Sequence, residues 1–258
     1  MTAKQFVDII CNEDCDLTEN TVDKFKSGDG NAVVKRVAVC FIATPDLLKE
    51  AAAWGADLVI THEPTYYNHV DGVSEYPFAK TKRELIESLG LTLFRFHDHP
   101  HSASGKDFIA LGFLSSLGWK GKMLDSIRFE LDEPKTPREM IKEIEEKLDL
   151  HHVRAAGELD KPARLIYLNL GQRGREWNNF LLDSDAGVAI GGEACEWEVC
   201  EAARDAAQMG VAKTAVLLGH AASERDGMKY LARLWQKEPA FDGIEIRYFE
   251  SGETFNTL

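Results

Sequence analysis

The chain contains few basic residues and no segment in which they cluster. Its 258 residues include 30 Lys and Arg against 43 Asp and Glu, which gives a formal net charge of -13 with His counted as neutral. Binding to nucleic acid requires clustered basic side chains that neutralise phosphates. The composition therefore argues against a nucleic acid as partner.

The chain also lacks a long apolar run. No segment reaches the roughly 18 consecutive apolar residues that a membrane-spanning helix needs. The N-terminal segment MTAKQFVDIICNEDCD has a short apolar patch that is followed at once by acids, and it lacks the small-residue cleavage site of a signal peptide. We therefore expect a cytoplasmic protein with no membrane partner.

Cysteine is scarce and follows no metal-binding or redox pattern. The chain has five cysteines, and neither Cys11 with Cys15 nor Cys195 with Cys200 has the Cys-x-x-Cys spacing of a zinc or thioredoxin-like site. We predict buried or incidental thiols rather than a disulfide framework. The chain also has no Gly-x-Ser-x-Gly elbow, which argues against a serine hydrolase.

Strand-like segments alternate with helical ones along the whole chain. The apolar runs at residues 33–43 and 57–61 are each followed by a helical segment, and Thr-Pro pairs at Thr44 and Thr136 are typical helix starts. A hydrophobic share of 44% indicates a substantial core. This pattern predicts an α/β fold of two α/β lobes, with mostly parallel sheets flanked by helices.

The stretch Gly118–Pro137 has the composition of a linker. It contains two glycines, two prolines and several charged residues. We therefore predict an N-terminal lobe at residues 1–122 and a C-terminal lobe at residues 123–258. The sequence leaves open whether the last strand, IEIRYFE, returns to the first lobe.

Three predicted strands end in side chains of the types that bind metals. The strand ends carry His62, Glu63, His97, Asp98, His99, His101, His220 and Glu224. Ligands of parallel α/β sheets bind at the carboxyl ends of strands. Imidazole and carboxylate groups suit divalent ions such as zinc, iron or manganese, and a carboxylate can bridge two ions that activate a water. We therefore predict a metal site at these strand ends.

Each cluster also has a purely structural interpretation. His62 and Glu63 could form a surface turn, residues 97–101 could form a surface loop, and His220 could cap a strand by donating to a carbonyl. Ser223 and Asp226 have the spacing of a capping box, in which case Glu224 would only favour the N-terminus of a helix. The metal interpretation is favoured because all three clusters occur at the same topological position.

His69 follows the first cluster closely along the chain. It could line the same site, or Tyr66 and Tyr67 beside it could pack it into the core.

The order of these motifs resembles that of the dinuclear-metal-centre hexameric proteins, which are catalogued as GTP cyclohydrolase 1 type 2 homologues. The family segment Gly-Ala-Asp-Leu-(Ile/Val)-Ile-Thr-His-His-Pro is similar to residues 55–64, His-Thr-Asn-Leu-Asp to residues 97–101, and Gly-His-x-(Ala/Ser)-(Thr/Ser)-Glu to residues 219–224. The resemblance runs from about Val33 to Trp235. The chain is similar to the short form of the family, which lacks a central insert.

The resemblance implies two α/β lobes, a two-metal site in the cleft between them, and a hexameric ring. The implied metal ligands are His62, Glu63, His101, His220 and Glu224. Two of them depart from the family, because Glu63 stands in place of a His and His101 in place of an Asp, with Asp98 three residues earlier. Both replacements are ligand types, so the resemblance implies a rebuilt site.

These observations lead to a functional hypothesis. The protein would be a metal-dependent hydrolase of cyclohydrolase type that acts on a nucleotide-like or other small molecule through water activated by two divalent ions (zinc, iron or manganese). His97 or Asp98 would be the catalytic proton carrier. The alternatives are a ring-forming regulatory or scaffold protein that binds metal without turnover, and a metal-free α/β domain.

Overall fold

The computed structural model of the protein describes residues 1–11, 20–102 and 105–255. The chain divides into two compact units, one formed by Met1–Phe108 with Met228–Leu258 and the other by Ile109–Gly227. Both units contain strands and helices, so the predicted α/β class is confirmed.

The first unit contains a five-stranded sheet and the helices that cover it. Its elements are α1 (Ala3–Ile10), β1 (Phe25–Ser27), β2 (Arg36–Cys40), α2 (Pro45–Trp54), β3 (Leu58–Thr61), α3 (Pro77–Ser88), β4 (Thr92–Arg95), α4 (Asp98–Ser102), the C-terminal part of α9 (His220–Trp235), a short 3-10 helix (Pro239–Phe241) and β11 (Glu245–Tyr248).

The strands of the first sheet lie in the order β1-β4-β3-β2-β11. β4, β3, β2 and β11 pair with one another in parallel, and β1 pairs with β4 antiparallel. β11 pairs with β2, with Ile246 opposite Val37, so the last strand belongs to the first unit. This unit is therefore discontinuous in sequence, whereas the sequence analysis placed one boundary near residue 122.

Apolar side chains fill both sides of the first sheet. On one side, Leu48 of α2 and Ile86 of α3 pack with Val59 and Leu93 in a buried cluster. In another part of the unit, the ring of Phe6 in α1 stacks on Phe241 at 4.2 Å between centroids. Strands that are buried on both faces are typical of parallel sheets.

The second unit contains a six-stranded mixed sheet. Its elements are α5 (Phe108–Leu117), β5 (Gly121–Met123), β6 (Arg128–Lys135), α6 (Pro137–Leu148), β7 (Arg154–Gly157), β8 (Ala163–Asn169), α7 (Glu176–Leu182), β9 (Ala186–Gly191), α8 (Glu196–Gln208), β10 (Thr214–Leu217) and the first turns of α9. The strand order is β5-β6-β8-β9-β10-β7. β8, β9 and β10 are parallel, and the remaining pairs are antiparallel.

The stretch Gly118–Pro137 is not a linker. It forms β5 and β6, which pair with each other, and β6 also pairs with β8. Phe129 and Leu131 are buried while the residues between and after them are more exposed. The charged residues of an edge hairpin therefore gave the stretch its linker-like composition.

The two Thr-Pro helix starts are confirmed. Thr44 accepts a hydrogen bond from the backbone N–H of Leu47, and Thr136 forms a full capping box with Glu139. α2 ends at Gly55, whose φ of +85° is one that other residues adopt only with strain.

The described helices all fall short of the length and apolar character that crossing a bilayer requires. Four cysteines lie within the described residues and are free thiols, and only Cys40 among them is buried. Cys15 lies outside the described residues.

Lys82 is a buried cation in the first unit, and its burial predicts a pH dependence of stability. It is 4% exposed, its Nζ donates to the carbonyl of Thr65, and burial lowers its pKa from 10.5 to about 8. Between these values the unfolded chain binds more protons than the folded one, so stability rises with pH. We expect the free energy of unfolding of the wild type, relative to Lys82→Met, to rise by roughly 3 kcal/mol from pH 8 to pH 10.5.

Urea unfolding at a series of pH values would measure this difference. Lys80→Met is the matched control, since Lys80 is exposed on the same helix. An equal pH dependence in wild type and Lys82→Met would contradict the prediction.

Candidate metal centre

Two neighbouring parallel strands place the first two histidine clusters side by side. Thr61, the last residue of β3, pairs with Arg95, the last residue of β4. The N–H of Phe96 continues this pairing by donating to the carbonyl of Thr61. His62 and His97 therefore leave the same edge of the sheet on adjacent strands.

Three imidazoles converge at this edge. One ring nitrogen from each of His62, His97 and His101 lies within 4.8 Å of the others. The rings of His62 and His97 stack at 4.7 Å between centroids, and His101 lies 5.2 Å from His62 and 5.4 Å from His97. His62 is fully buried and the other two are partly buried. We call these residues the histidine trio.

Each ring of the trio is oriented through its Nδ1 atom. The Nδ1 partners are the carbonyl oxygen of Phe96 for His62 at 3.0 Å, Asp98 Oδ1 for His97 at 2.9 Å, and Asp107 Oδ2 for His101 at 2.9 Å. Carbonyl and carboxylate oxygens accept hydrogen bonds, so each Nδ1 carries the proton. In the neutral rings the lone pair then lies on Nε2, which is the arrangement of metal-binding histidines with carboxylate or carbonyl partners.

Asp98 is held in its ionised form. The hydrogen bond with His97 lowers the pKa of Asp98 well below its usual range, opposed by burial and helped by bonds from Thr21 Oγ1 and the N–H of Val22. A carboxylate with so low a pKa is a poor proton carrier near neutral pH. The geometry therefore favours Asp98 as the group that orients His97.

Asp23 fixes the short helix α4 that carries the trio's third member. Its carboxylate accepts bonds from the backbone N–H groups of His97, Asp98 and His99, and from Nδ1 of His99. Burial raises the pKa of Asp23, but these hydrogen bonds outweigh it and lower the pKa overall. No local sequence pattern marks this role, because Asp23 lies more than 70 positions before its partners.

Arg95 ties the first cluster to the loop that follows it. Its side chain is fully buried, and Nε donates to the carbonyl of His62 at 3.1 Å while Nη1 donates to the carbonyl of His69 at 2.5 Å. The ring of His69 lies edge-to-face with His97 at 6.0 Å and is exposed. His69 therefore lines the site, and the core interpretation is wrong.

Glu63 is the carboxylate of the first cluster. It is partly buried, and its Oε1 lies 3.8 Å from Nε2 of His97. The surface-turn interpretation of His62 and Glu63 is wrong, since His62 is fully buried. The first unit thus offers three imidazole nitrogens and one carboxylate, a donor set that fits a divalent transition metal.

The third cluster lies at the start of α9 in the second unit. His220 Nδ1 is 3.0 Å from Glu193 Oε1, and its Nε2 is 3.2 Å from Glu224 Oε2, a carboxylate that is 3% exposed. Gly171 leaves space for this carboxylate, since a Cβ there would lie 2.1 Å from Glu224 Oε1. The sequence-based prediction that His220 and Glu224 share ions with the first cluster stays a prediction.

Ser223 does not cap a helix. α9 begins at His220, so Ser223 lies within its first turn. Its hydroxyl accepts from the N–H of Gly171 and donates to the carbonyl of His220. The capping-box interpretation is therefore wrong, and Glu224 is a buried residue within α9.

Comparison with known proteins identifies the family. The profile of the Duf34/NIF3 family (NGG1p interacting factor 3) matches residues 21–253. The chain is a member of the Duf34/NIF3 family. The resemblance drawn from the motifs is thereby confirmed, since NIF3-related proteins and ybgI form the group of GTP cyclohydrolase 1 type 2 homologues.

Solved structures share the fold over nearly the full chain. A Bacillus cereus protein related to NIF3 is 12% identical with a TM-score of 0.79, covering 100% of this chain and 99% of that one. A Staphylococcus aureus protein is 16% identical with a TM-score of 0.75, covering 100% and 97%. The protein ybgI, described as of unknown function, is 17% identical with a TM-score of 0.76, covering 98% and 99%. No curated protein has a sequence that matches this chain.

The carboxylate behind His101 predicts an effect on metal affinity. Asp107 is buried and orients His101 through Nδ1, and loss of such a partner typically weakens metal binding 10- to 100-fold. We expect Asp107→Asn to lower the affinity for zinc by at least about tenfold, measured by competition with a chromophoric chelator. Asp46→Asn, which changes an exposed carboxylate, should bind zinc like the wild type. Equal affinities for wild type and Asp107→Asn would refute this role.

Proposed function

We propose that the protein is a metal-dependent hydrolase that acts on a small molecule. The observation that carries the proposal is the histidine trio, whose three Nδ1 atoms are each occupied by an acceptor while one ring nitrogen of each converges with the others. Surface histidines in turns have no need of such orientation. Membership of the Duf34/NIF3 family supports the same interpretation.

The proposed ligands of the first unit are the trio and Glu63. The trio contributes neutral nitrogen donors, which favour zinc, iron or cobalt over magnesium and calcium. His97 is proposed here as a ligand rather than as the proton carrier of the sequence-based hypothesis. Its Nδ1 is committed to ionised Asp98, and its ring stacks on that of His62.

Among the proposed ligands of the first unit, only Glu63 has donors that can bridge two ions. An imidazole whose Nδ1 is protonated has one lone pair and binds one ion. In the second unit we propose His220 and Glu224 as ligands, with His220 oriented by Glu193. If two ions bind, as the family resemblance implies, Glu63 or Glu224 would be the carboxylates able to hold them as a pair.

The chain's own residues prepare the site for hydrolysis. A bound ion would lower the pKa of a coordinated water towards neutrality and so supply a hydroxide. Asp98 and Asp107 hold their histidines in the tautomer that binds an ion, and Arg95 fixes the backbone of His62. A nucleotide-like substrate is the proposal that the cyclohydrolase resemblance supports. Hexamer formation and a cytoplasmic location stay predictions.

Metal content tests the proposal first. We expect untagged wild-type protein to hold at least one equivalent of a transition metal by elemental analysis. We expect loss of this metal in three variants, His62→Ala, His97→Ala and His101→Ala. Glu224→Ala should lower the metal content because it removes a proposed ligand of the second unit. His69→Ala is the matched control, because His69 lies beside the trio but outside it. Less than a tenth of an equivalent, even after incubation with zinc, manganese or iron, would refute the metal site.

Turnover is the second step of the same test. Loaded wild type and His97→Ala would be compared on a panel of nucleotides and other small substrates. Hydrolysis by the wild type alone would support the enzyme. Metal binding without turnover of any substrate would favour the regulatory or scaffold alternative.

A further inference from the structure

The C-terminal part of α9 and the turn that follows it carry three cations although the chain as a whole is acidic. Lys229, Arg233 and Lys237 follow one another at intervals of four residues, and residues 227–237 contain no acid. Lys229 and Arg233 therefore lie on the same face of α9, and Lys237 lies in the turn just beyond its end. A local concentration of positive charge therefore stands out against the net charge of -13.

The three cations line one cavity. It has a volume of about 490 Å³, and its other lining residues are Ala232, Gln236, Ile246 and Tyr248. The cavity lies between α9 and β11, which is an edge strand of the first sheet. Its volume lies within the range of small-molecule sites, roughly 300 to 1,000 Å³.

Gln236 closes the strand edge beside this cavity. Its Oε1 accepts from the N–H of Ile246 at 2.8 Å, and its Nε2 donates to the carbonyl of Ile244 at 3.3 Å. These are backbone groups that an added strand would need. The geometry therefore disfavours the binding of an extended peptide along β11. The two hydrogen bonds also hold the side chain of Gln236 in place as one wall of the cavity.

The positive charge facing the cavity is only partly neutralised. Lys229 Nζ lies 3.0 Å from Glu250 Oε2 and 5.3 Å from the ring centroid of Tyr248. Within the described part of the chain, neither Arg233 nor Lys237 forms an ion pair. Like charges four residues apart on a helix repel each other. An anion in the cavity would relieve this repulsion.

We propose that this cavity binds a small polyanion, a molecule with two or more phosphate or carboxylate groups. Lys229 and Arg233 lie about one helical turn apart, a rise of about 6 Å, and Lys237 lines the same cavity beyond the end of α9, so one extended polyanion can meet more than one of these cations. Arg233 can form paired hydrogen bonds with one anionic group, and Ala232 and Ile246 offer apolar contact to the body of the ligand.

The cavity is separate from the histidine trio. β11 lies at the end of the sheet, and β2 stands between it and β3, which leads to His62. The proposal therefore does not depend on the proposed hydrolase activity.

Calorimetric titration with inorganic triphosphate tests the proposal on the metal-loaded protein. We expect saturable one-to-one binding to the wild type, and a Kd at least about tenfold higher for the double variant Arg233→Gln/Lys237→Gln, which loses two charge-assisted contacts. The control Lys142→Gln/Lys147→Gln makes the same change in net charge on α6 and should keep the wild-type Kd. His62→Ala should also keep it, since the trio takes no part.

Three results would overturn the proposal. The first is the absence of saturable triphosphate binding to the wild type. The second is an equal Kd in the two double variants, which would show that any change in triphosphate affinity comes from the change in net charge alone. The third is loss of binding in His62→Ala, which would place the triphosphate at the metal centre.

Discussion

The register between β3 and β4 is the constraint on which the first site depends. Parallel pairing places Thr61 opposite Arg95, so the residues that follow both strands leave the sheet at the same level. A shift by one residue would exchange the faces of a whole strand. The buried side chains on both faces of these strands make such a shift costly, so the core of the sheet also fixes the spacing of the imidazoles.

The strand register brings the histidines close together, and a set of carboxylates then fixes the orientation of their rings. Asp98 and Asp107 each accept a hydrogen bond from one imidazole ring. Asp23 accepts hydrogen bonds from backbone N–H groups and thereby holds the whole segment that carries His97 and His101. These acids contribute to the net charge of the chain, and each accepts a hydrogen bond from a residue of the site. The acidic composition therefore reflects in part the construction of the site.

Local sequence signals predicted much of the fold and the positions of the site residues. The helix starts at Thr44 and Thr136 were predictable because an N-cap depends on only a few neighbouring residues. The three clusters were found because strand ends are recognisable from apolar runs.

Features that depend on residues distant in sequence could not be predicted. Asp23 has no local pattern that marks it as the acceptor for the N–H groups of residues 97–99, and the hydroxyl of Ser223 bonds to Gly171, which lies 52 positions away. The hairpin β5–β6 was taken for a linker because charged edge strands and linkers have similar compositions.

The discontinuity of the first unit has a consequence for the order of folding during synthesis. The second unit is a single continuous segment, Ile109–Gly227, and all of it has emerged before the residues that complete the first unit. Until β11 and the end of α9 are made, β2 is an open edge and Phe6 lacks Trp235 and Phe241 as ring partners. Exposed edges and apolar surface of this kind are where nascent chains associate wrongly. The first unit therefore exposes this edge and this apolar surface throughout the synthesis of Ile109–Gly227.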